Sequence, residues 1–152
     1  MRSRRGWIVI GLLLGVHFAL HPLWSRWPAG PDLLVGGLLL GSLGLRASRA
    51  AALGFVLGLL EASLALGPLG PTLLIMAGAA YAGSWLRDVF YSDSARFIPV
   101  FLVVGVWTVQ TSVTLLSQGL WLEGIFVFSP ISACVTAAVC LGTEKLVGFF
   151  VP

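Results

Sequence analysis

The chain has 152 residues, of which 58% are hydrophobic and only 10% are charged, with a net charge of +3. Soluble domains carry roughly 25% charged residues, so this composition excludes a water-soluble globular protein and predicts an all-helical polytopic membrane protein. No basic stripe indicates nucleic-acid binding. Cys134 and Cys140 fall on different faces of one predicted helix, which disfavours a disulfide and a metal site, so we predict neither metal nor cofactor.

Hydropathy and turn residues predict six transmembrane helices in a single domain. The first apolar run is interpreted as a helix, because no small-x-small cleavage site of a signal peptide follows it. Pro31 and Asp32 suit the start of the second helix, and the glycines and prolines of residues 67–71 predict an external turn before the fourth. Ser129 as cap and Pro130 predict the start of the sixth. The predicted helices are residues 7–23, 31–45, 50–66, 72–89, 97–118 and 130–148.

The distribution of positive residues predicts that both chain ends lie in the cytoplasm, because cytoplasmic loops are enriched in Lys and Arg. In this topology only Arg26 lies outside. The positive residues on the cytoplasmic side are Arg2, Arg4, Arg5, Arg46, Arg49, Arg87, Arg96 and Lys145. The connecting loops are short, so no soluble domain is predicted to hold a catalytic fold.

Glu61 is an acidic residue inside the third predicted helix, where an unpaired carboxylate costs at least a few kcal/mol. It shares a helical face with Gly54 and Gly58, so it is predicted to face protein, about 17 Å from the cytoplasmic end of the helix. His17 is the partner that could carry a compensating charge. Other candidate hydrogen-bonding residues in this polar site are Tyr81, Thr111 and Thr114. The alternative is a neutral, protonated Glu61 that only packs.

Catalytic chemistry is disfavoured by the absence of GxSG, HExxH and paired-aspartate motifs. His17 and His21 stand four residues apart, but no third metal ligand accompanies them. Arg87 lies at the opposite depth from Glu61, so a direct bridge between these two is not expected. The fifth helix carries a row of polar residues, which either lines a ligand pocket or holds helices together. This row comprises Gln110, Thr111, Thr114, Ser117 and Gln118.

Glycines spaced four residues apart recur in the first three helices and predict smooth faces where another helix can approach closely. These helix-packing faces comprise Gly11 and Gly15, Gly37 and Gly41, and Gly54 and Gly58. We expect the glycine faces of these three helices to receive a partner helix.

Between residues 31 and 96 the chain resembles the MreD family of bacterial rod shape-determining membrane proteins. The resembling segments are Pro31-Asp32-Leu33-Leu34, the turn from Arg46 to Arg49, Gly54-Phe55, Gly58-Leu59-Leu60-Glu61, Pro68-Leu69-Gly70, Tyr81 and Leu86-Arg87. Pro68 stands seven positions after Glu61, a fixed spacing of the pattern. The family usually has Asp in place of Glu61 and Gly-Tyr in place of Ala80-Tyr81, changes that keep the charge and the ring.

The resemblance implies a non-enzymatic subunit of the cell-elongation machinery in the bacterial cytoplasmic membrane. Its implied direct partner is the transmembrane helix of MreC, and its wider partners are MreB, RodA and a class-B penicillin-binding protein. A second copy of itself and membrane lipid are further expected contacts. The implied fold is that of the substrate-binding subunits of energy-coupling-factor transporters. The alternative function is therefore a substrate-capture subunit for a vitamin or metal, with Glu61 and the polar row as its pocket.

Overall fold

The computed structural model describes residues 3–24, 30–65, 69–90, 97–118 and 124–150. It confirms an all-helical chain with six α-helices, and the described residues contain no strand. The helices are α1 Ser3–Trp24, α2 Leu33–Gly44, α3 Ala47–Ala65, α4 Leu69–Phe90, α5 Phe97–Gln118 and α6 Ser129–Phe150, with a π-helical segment Gly124–Phe128 directly before α6.

Three stretches of the described chain are long and apolar enough to cross a membrane: Leu69–Arg87, Phe97–Leu116 and Ile125–Val147. Trp7–Leu20 and Leu33–Gly44 are shorter apolar helices. A full crossing takes roughly 20 residues, so six crossings with both ends in the cytoplasm stay a prediction. The orientation also depends on positive residues outside the described structure: Arg2, Arg26 and Arg96 lie outside the described residues, as do the side chains of Arg4 and Arg5.

The shortest helix, α2, occupies the centre of the fold. Every residue from Leu33 to Ser42 is buried, and α2 packs against all five other α-helices. A helix that is apolar on all its faces is typically buried, with protein on every side. Asp32 caps its start, because the carboxylate accepts a hydrogen bond from the backbone N–H of Val35 at 3.1 Å. At 1.5 Å per residue α2 is about 18 Å long.

The opposite end of α2 is fastened to α4. The hydroxyl of Ser84 donates to the carbonyl of Leu45 at 2.7 Å, and Nη1 of Arg87 donates to the carbonyl of Leu43 at 2.8 Å. These carbonyls end α2 and have no intrahelical donor of their own, so the two side chains satisfy a helix end inside the fold. Arg87 therefore contacts protein backbone, far from Glu61, as its predicted depth implies.

The start of α4 differs from the prediction. We expected Pro71 to be part of a turn and the helix to begin at Thr72, but α4 begins at Leu69 and includes Pro71 in its first turn. Proline is tolerated there because the first N–H groups of a helix have no intrahelical acceptor. Residues 66–68, which include the remainder of the predicted turn, lie outside the described residues.

The start of α6 also differs from the prediction. Ser129 does not cap a free helix end, because the π-helical segment runs directly into it. In a π-helix each N–H donates to the carbonyl five residues earlier, and Pro130 has no N–H to offer to Ile125. The indole Nε1 of Trp107 on α5 donates to the Ile125 carbonyl instead, at 3.2 Å. The irregular segment is thus joined to α5 through the carbonyl that proline leaves available.

Candidate functional site

Polar side chains from α1, α2, α3, α5 and α6 meet at one level, where the short central helix ends. At 1.5 Å per residue, His17, Glu61 and Gln110 each lie about 20 Å along their helices from the first residue of α1, α3 and α5. Asp32, before the first residue of α2, lies about 18 Å from the other end of that helix. We call this level the polar layer; it comprises His17, Asp32, Glu61, Gln110, Ser129, Ser132 and Thr136.

His17 and Glu61 form a contact between an imidazole and a carboxyl group in the polar layer. Nε2 of His17 lies 3.6 Å from Oε2 of Glu61, and the two side chains are 7% and 24% exposed. No Cα atom of α1 lies within 8 Å of one in α3 in the described chain, so the two side chains reach across a gap between helices. Asp32 is close enough to interact electrostatically with both. The carboxyl group of Glu61 therefore faces protein, and it contacts the imidazole of His17, the partner that the sequence favoured.

Gln110 joins α5 to α6 and to the segment before α2. Its Nε2 donates to the hydroxyl of Ser132 at 2.9 Å, and its Oε1 accepts from the hydroxyl of Ser129 at 3.2 Å. Ser132 in turn donates to the carbonyl of Gly30 at 2.6 Å. Both ends of the Gln110 amide are thus occupied by protein groups. This part of the polar row on α5 holds helices together.

Asp32 contacts α6 through its backbone and α5 through its side chain. The N–H of Asp32 donates to Oγ1 of Thr136 at 2.8 Å, and Gln110 lies within hydrogen-bonding reach of the Asp32 carboxylate. Thr136 is completely buried. The residue that begins α2 is therefore fixed by groups from two other helices, and its carboxylate has a defined position in the polar layer.

Three residues expected near Glu61 have no described contact with it. Tyr81 is 52% exposed, because it lies on the outer face of α4, while Ala80 and Ser84 occupy the inner face. The hydroxyl of Thr111 is buried, and it has no hydrogen-bond partner among the described residues. Thr114 is half-buried. Tyr81 therefore lies away from the described polar layer, and the described contact of Glu61 is with the imidazole of His17.

The chemistry of the polar layer is that of two carboxylates and one imidazole in a low-dielectric surrounding. Charges in such a place are retained when they are paired and hydrogen-bonded, and this arrangement pairs His17 with Glu61 and caps a helix with Asp32. In the described part of the chain no group of three or more His, Cys, Asp or Glu residues is placed to hold a metal ion. The side chain of His21 lies outside the described residues. Cys134 is exposed and Cys140 is buried.

The glycines of α2 and α3 pack inside the fold. A Cβ added at Gly54 would stand 2.9 Å from the Cα of Ala77, and one at Gly58 would stand 3.3 Å from the Cα of Leu73. The backbones of α3 and α4 are therefore in direct contact at these two positions. In α2, Gly37 faces Leu13 of α1, and Gly41 lies between Ile10 and Leu53. These four glycines are covered by this chain itself and leave no face for a partner helix.

The glycines of α1 have the opposite surroundings. Gly11 and Gly15 are exposed, and a Cβ at either would have no atom within 4 Å. Apolar side chains flank them on the same exposed side of the helix: Ile8 is 39% exposed and Leu12 is 46% exposed. Of the three predicted packing faces, the face on α1 is the one that stays open to another helix. We call it the open α1 face, comprising Ile8, Gly11, Leu12, Gly15 and Ala19.

Thr136 and the carbonyl of Gly30 belong to the polar layer, and the sequence analysis did not single them out. Ser129, Ser132 and Thr136 follow one another at steps of three and four, so they share one face of α6. That spacing was a usable signal for Thr136. The Gly30 carbonyl has no comparable signal, because any residue before a helix has one.

No family model, curated protein or solved structure matches this chain. The fold and the site therefore define its class directly: an all-helical protein whose described residues include three helices of membrane-spanning length, a buried central helix, an internal polar layer and an open glycine face on α1.

Proposed function

We propose that this chain is a non-enzymatic scaffold of the bacterial cell-elongation complex, a member of the MreD type that binds the transmembrane helix of MreC. In this proposal all six helices cross the bacterial inner membrane, with both ends in the cytoplasm. Through MreC the chain helps to organise MreB, RodA and a class-B penicillin-binding protein during peptidoglycan synthesis. The mechanism is helix docking, in which no covalent bond is made or broken.

The observation that carries the proposal is the open α1 face. Gly11 and Gly15 lie one turn apart with nothing packed against them, and the glycines of α2 and α3 are already covered. Helices in a membrane associate through such small-residue faces, because close backbone approach maximises van der Waals contact. A single transmembrane helix is the partner whose shape fits a face one helix wide. The resemblance between Pro31 and Arg87 to the MreD family supports MreC as that helix.

The residues of the resemblance also have structural roles that suit a rigid scaffold. Asp32 caps the central helix, Glu61 pairs with His17, and Arg87 binds the carbonyl of Leu43. Each of these side chains contacts protein groups in this chain, and these contacts cap α2, join α1 to α3 and join α4 to α2. A substrate-capture function draws less support from the structure, because the Gln110 amide is occupied by Ser129 and Ser132.

Cysteine cross-linking in native membranes tests the proposal. Cysteines at Gly11 and Gly15, in a background in which exposed Cys134 is replaced by Ser, should form disulfides with cysteines along one face of the MreC transmembrane helix. Gly78 provides the matched control, because it is an exposed glycine on α4 with no atom within 4 Å of an added Cβ. A cysteine at Gly78 should give no such product.

Two results would contradict different parts of the proposal. If Gly78 cross-links to MreC while Gly11 and Gly15 do not, the docking face is wrong but the scaffold function survives. If MreC neither cross-links nor co-purifies with the chain from native membranes, and a small molecule co-purifies instead, the scaffold function itself is wrong.

A further inference from the structure

Two exposed arginines lie at the connection between α2 and α3. Arg46 is the first residue after the capping residue Leu45, and Arg49 is in the first turn of α3. Both side chains are exposed. The first turn of α3 contains no acidic residue. The positive end of the α3 dipole and two arginines three residues apart therefore share this connection, an arrangement that repels cations and favours an anion.

The fold holds this connection at a defined depth. Ser84 and Arg87 of α4 bind the carbonyls of Leu45 and Leu43, so the connection is level with the last turns of α4. The apolar stretch of α4 that is long enough to cross a membrane ends at Arg87. The connection is therefore level with the end of this apolar stretch, which is where lipid headgroups would lie in a membrane that α4 crosses.

An aromatic residue marks the same level on the outside of α4. Trp85 is 55% exposed and lies between Ser84 and Leu86, in the turn that is bonded to the connection. Tryptophans on the outer surface of membrane proteins are enriched at headgroup depth, because the ring is apolar and the indole N–H is polar. The position of Trp85 thus agrees with the depth given by the apolar stretch.

The chemistry that fits here is a phosphate group held at the membrane surface. Guanidinium groups bind phosphate oxygens with paired hydrogen bonds, and Arg is the residue best suited to this geometry. Arg87 donates to the Leu43 carbonyl, two residues before Leu45, so a third arginine is anchored next to the connection. A lipid phosphate is already at this depth, so binding requires no additional molecule to enter the membrane.

We infer that Arg46 and Arg49 bind the phosphate of an anionic phospholipid, at a connection held at headgroup depth by Ser84 and Arg87. This site is separate from the open α1 face and does not depend on the proposed partner. A charge-assisted hydrogen bond from a guanidinium to the phosphate should strengthen binding by about tenfold, which a positive residue outside the site does not provide. The site would select anionic lipid over zwitterionic lipid around this end of the protein.

The test uses the purified full-length protein in nanodiscs of phosphatidylcholine, with and without phosphatidylglycerol, and measures retained lipid by native mass spectrometry. Arg46→Gln and Arg49→Gln should each lower the preference for phosphatidylglycerol about tenfold, because each removes a charge-assisted hydrogen bond to the phosphate. Arg46→Lys should keep part of it. Lys145→Gln is the matched control, because it removes one exposed positive charge at the end of α6 and should leave the preference unchanged.

Each alternative result overturns the inference. If Arg46→Gln and Arg49→Gln retain the wild-type preference, the arginines do not bind the lipid. If Lys145→Gln weakens it as much as they do, the effect is one of total charge and no site exists. If inorganic phosphate added to phosphatidylcholine nanodiscs raises the unfolding midpoint as much as phosphatidylglycerol does, the ligand is free phosphate. Unfolding midpoints of all variants in phosphatidylcholine alone should match wild type, since the three side chains are exposed.

Discussion

The glycine pairs of α1 and α3 have the same spacing and opposite surroundings. Gly54 and Gly58 lie against the backbone of α4, while Gly11 and Gly15 have no atom within 4 Å of an added Cβ. The first pair holds the chain together, and the second is a surface on which another helix can dock. The comparison shows that small residues four apart predict close packing, but not whether the neighbour belongs to the same chain. The following predictions test this difference.

The largest effect is expected at Gly54. Gly54→Val would place side-chain atoms against the backbone of Met76 and Ala77, which cannot move aside as a flexible side chain can. The free energy of unfolding should fall by about 3 kcal/mol, measured by reversible denaturation in detergent. Gly11→Val is the control, since it makes the same substitution where nothing is packed. Equal losses at both positions would remove the distinction between the two pairs.

The next largest effect is expected at Glu61, which lies on the same face of α3 as Gly54 and Gly58 and belongs to the polar layer. Glu61→Leu removes the partner of buried His17, and we expect a loss of about 1 kcal/mol in unfolding free energy. Glu61→Gln should cost less, because an amide can still accept a hydrogen bond. A double-mutant cycle with His17→Leu gives the coupling between the two side chains. Strictly additive losses would show that the contact at 3.6 Å contributes nothing to stability.

A similar or smaller effect is expected at Arg87, which lies on α4, the helix against which Gly54 packs. Arg87→Gln removes the hydrogen bond to the Leu43 carbonyl, which should lower unfolding free energy by about 1 kcal/mol. Arg49→Gln is the control, because it removes an exposed arginine and should stay within about 0.5 kcal/mol of wild type. Thermal unfolding in phosphatidylcholine nanodiscs separates this packing effect from lipid binding. The assignment fails if the two substitutions cost the same.

The smallest effect on stability is expected on the open α1 face. Gly11→Leu and Gly15→Leu should each stay within about 0.5 kcal/mol of wild type, because the added side chains enter open space. The same substitutions should reduce the yield of co-purified MreC at least about tenfold, a loss that corresponds to about 1.4 kcal/mol of binding. Gly78→Leu, at an open glycine of α4, should reduce neither quantity. Normal MreC recovery from both α1 variants would mean that this face is not the docking surface.

The sequence was sufficient to predict six helices, because apolar runs separated by charged or turn residues are a strong one-dimensional signal. It was also sufficient to favour His17 as the partner of Glu61, because depth along a helix follows from residue number. It was insufficient for Tyr81, which stands only three residues from Ser84 near the opposite end of α2, and whose side chain lies on the outer face of α4. Depth gives one coordinate, and rotation about the helix axis depends on packing that a single sequence does not encode.

Helix ends were predicted less well than helix positions, for a related reason. Pro71 lies inside the first turn of α4, and Pro130 lies where a π-helical segment meets α6. In both places proline is compatible with a helix. The first turn of α4 needs no N–H from Pro71, and at Pro130 another donor replaces the missing N–H. The replacement at α6 comes from Trp107, a residue of another helix. Long-range donors of this kind leave no mark near the proline in the sequence.

Because Asp32 caps the start of α2, the length of this helix sets where a carboxylate lies inside the fold. The carboxylate that caps the start of α2 also interacts electrostatically with His17 and Glu61. A single-residue insertion or deletion within α2 would turn this carboxylate by about 100° around the helix axis, whereas a change of one full turn would move it along the axis by about 5.4 Å. Natural variants of this chain should therefore tolerate indels in α2 far less readily than in the connections at either end.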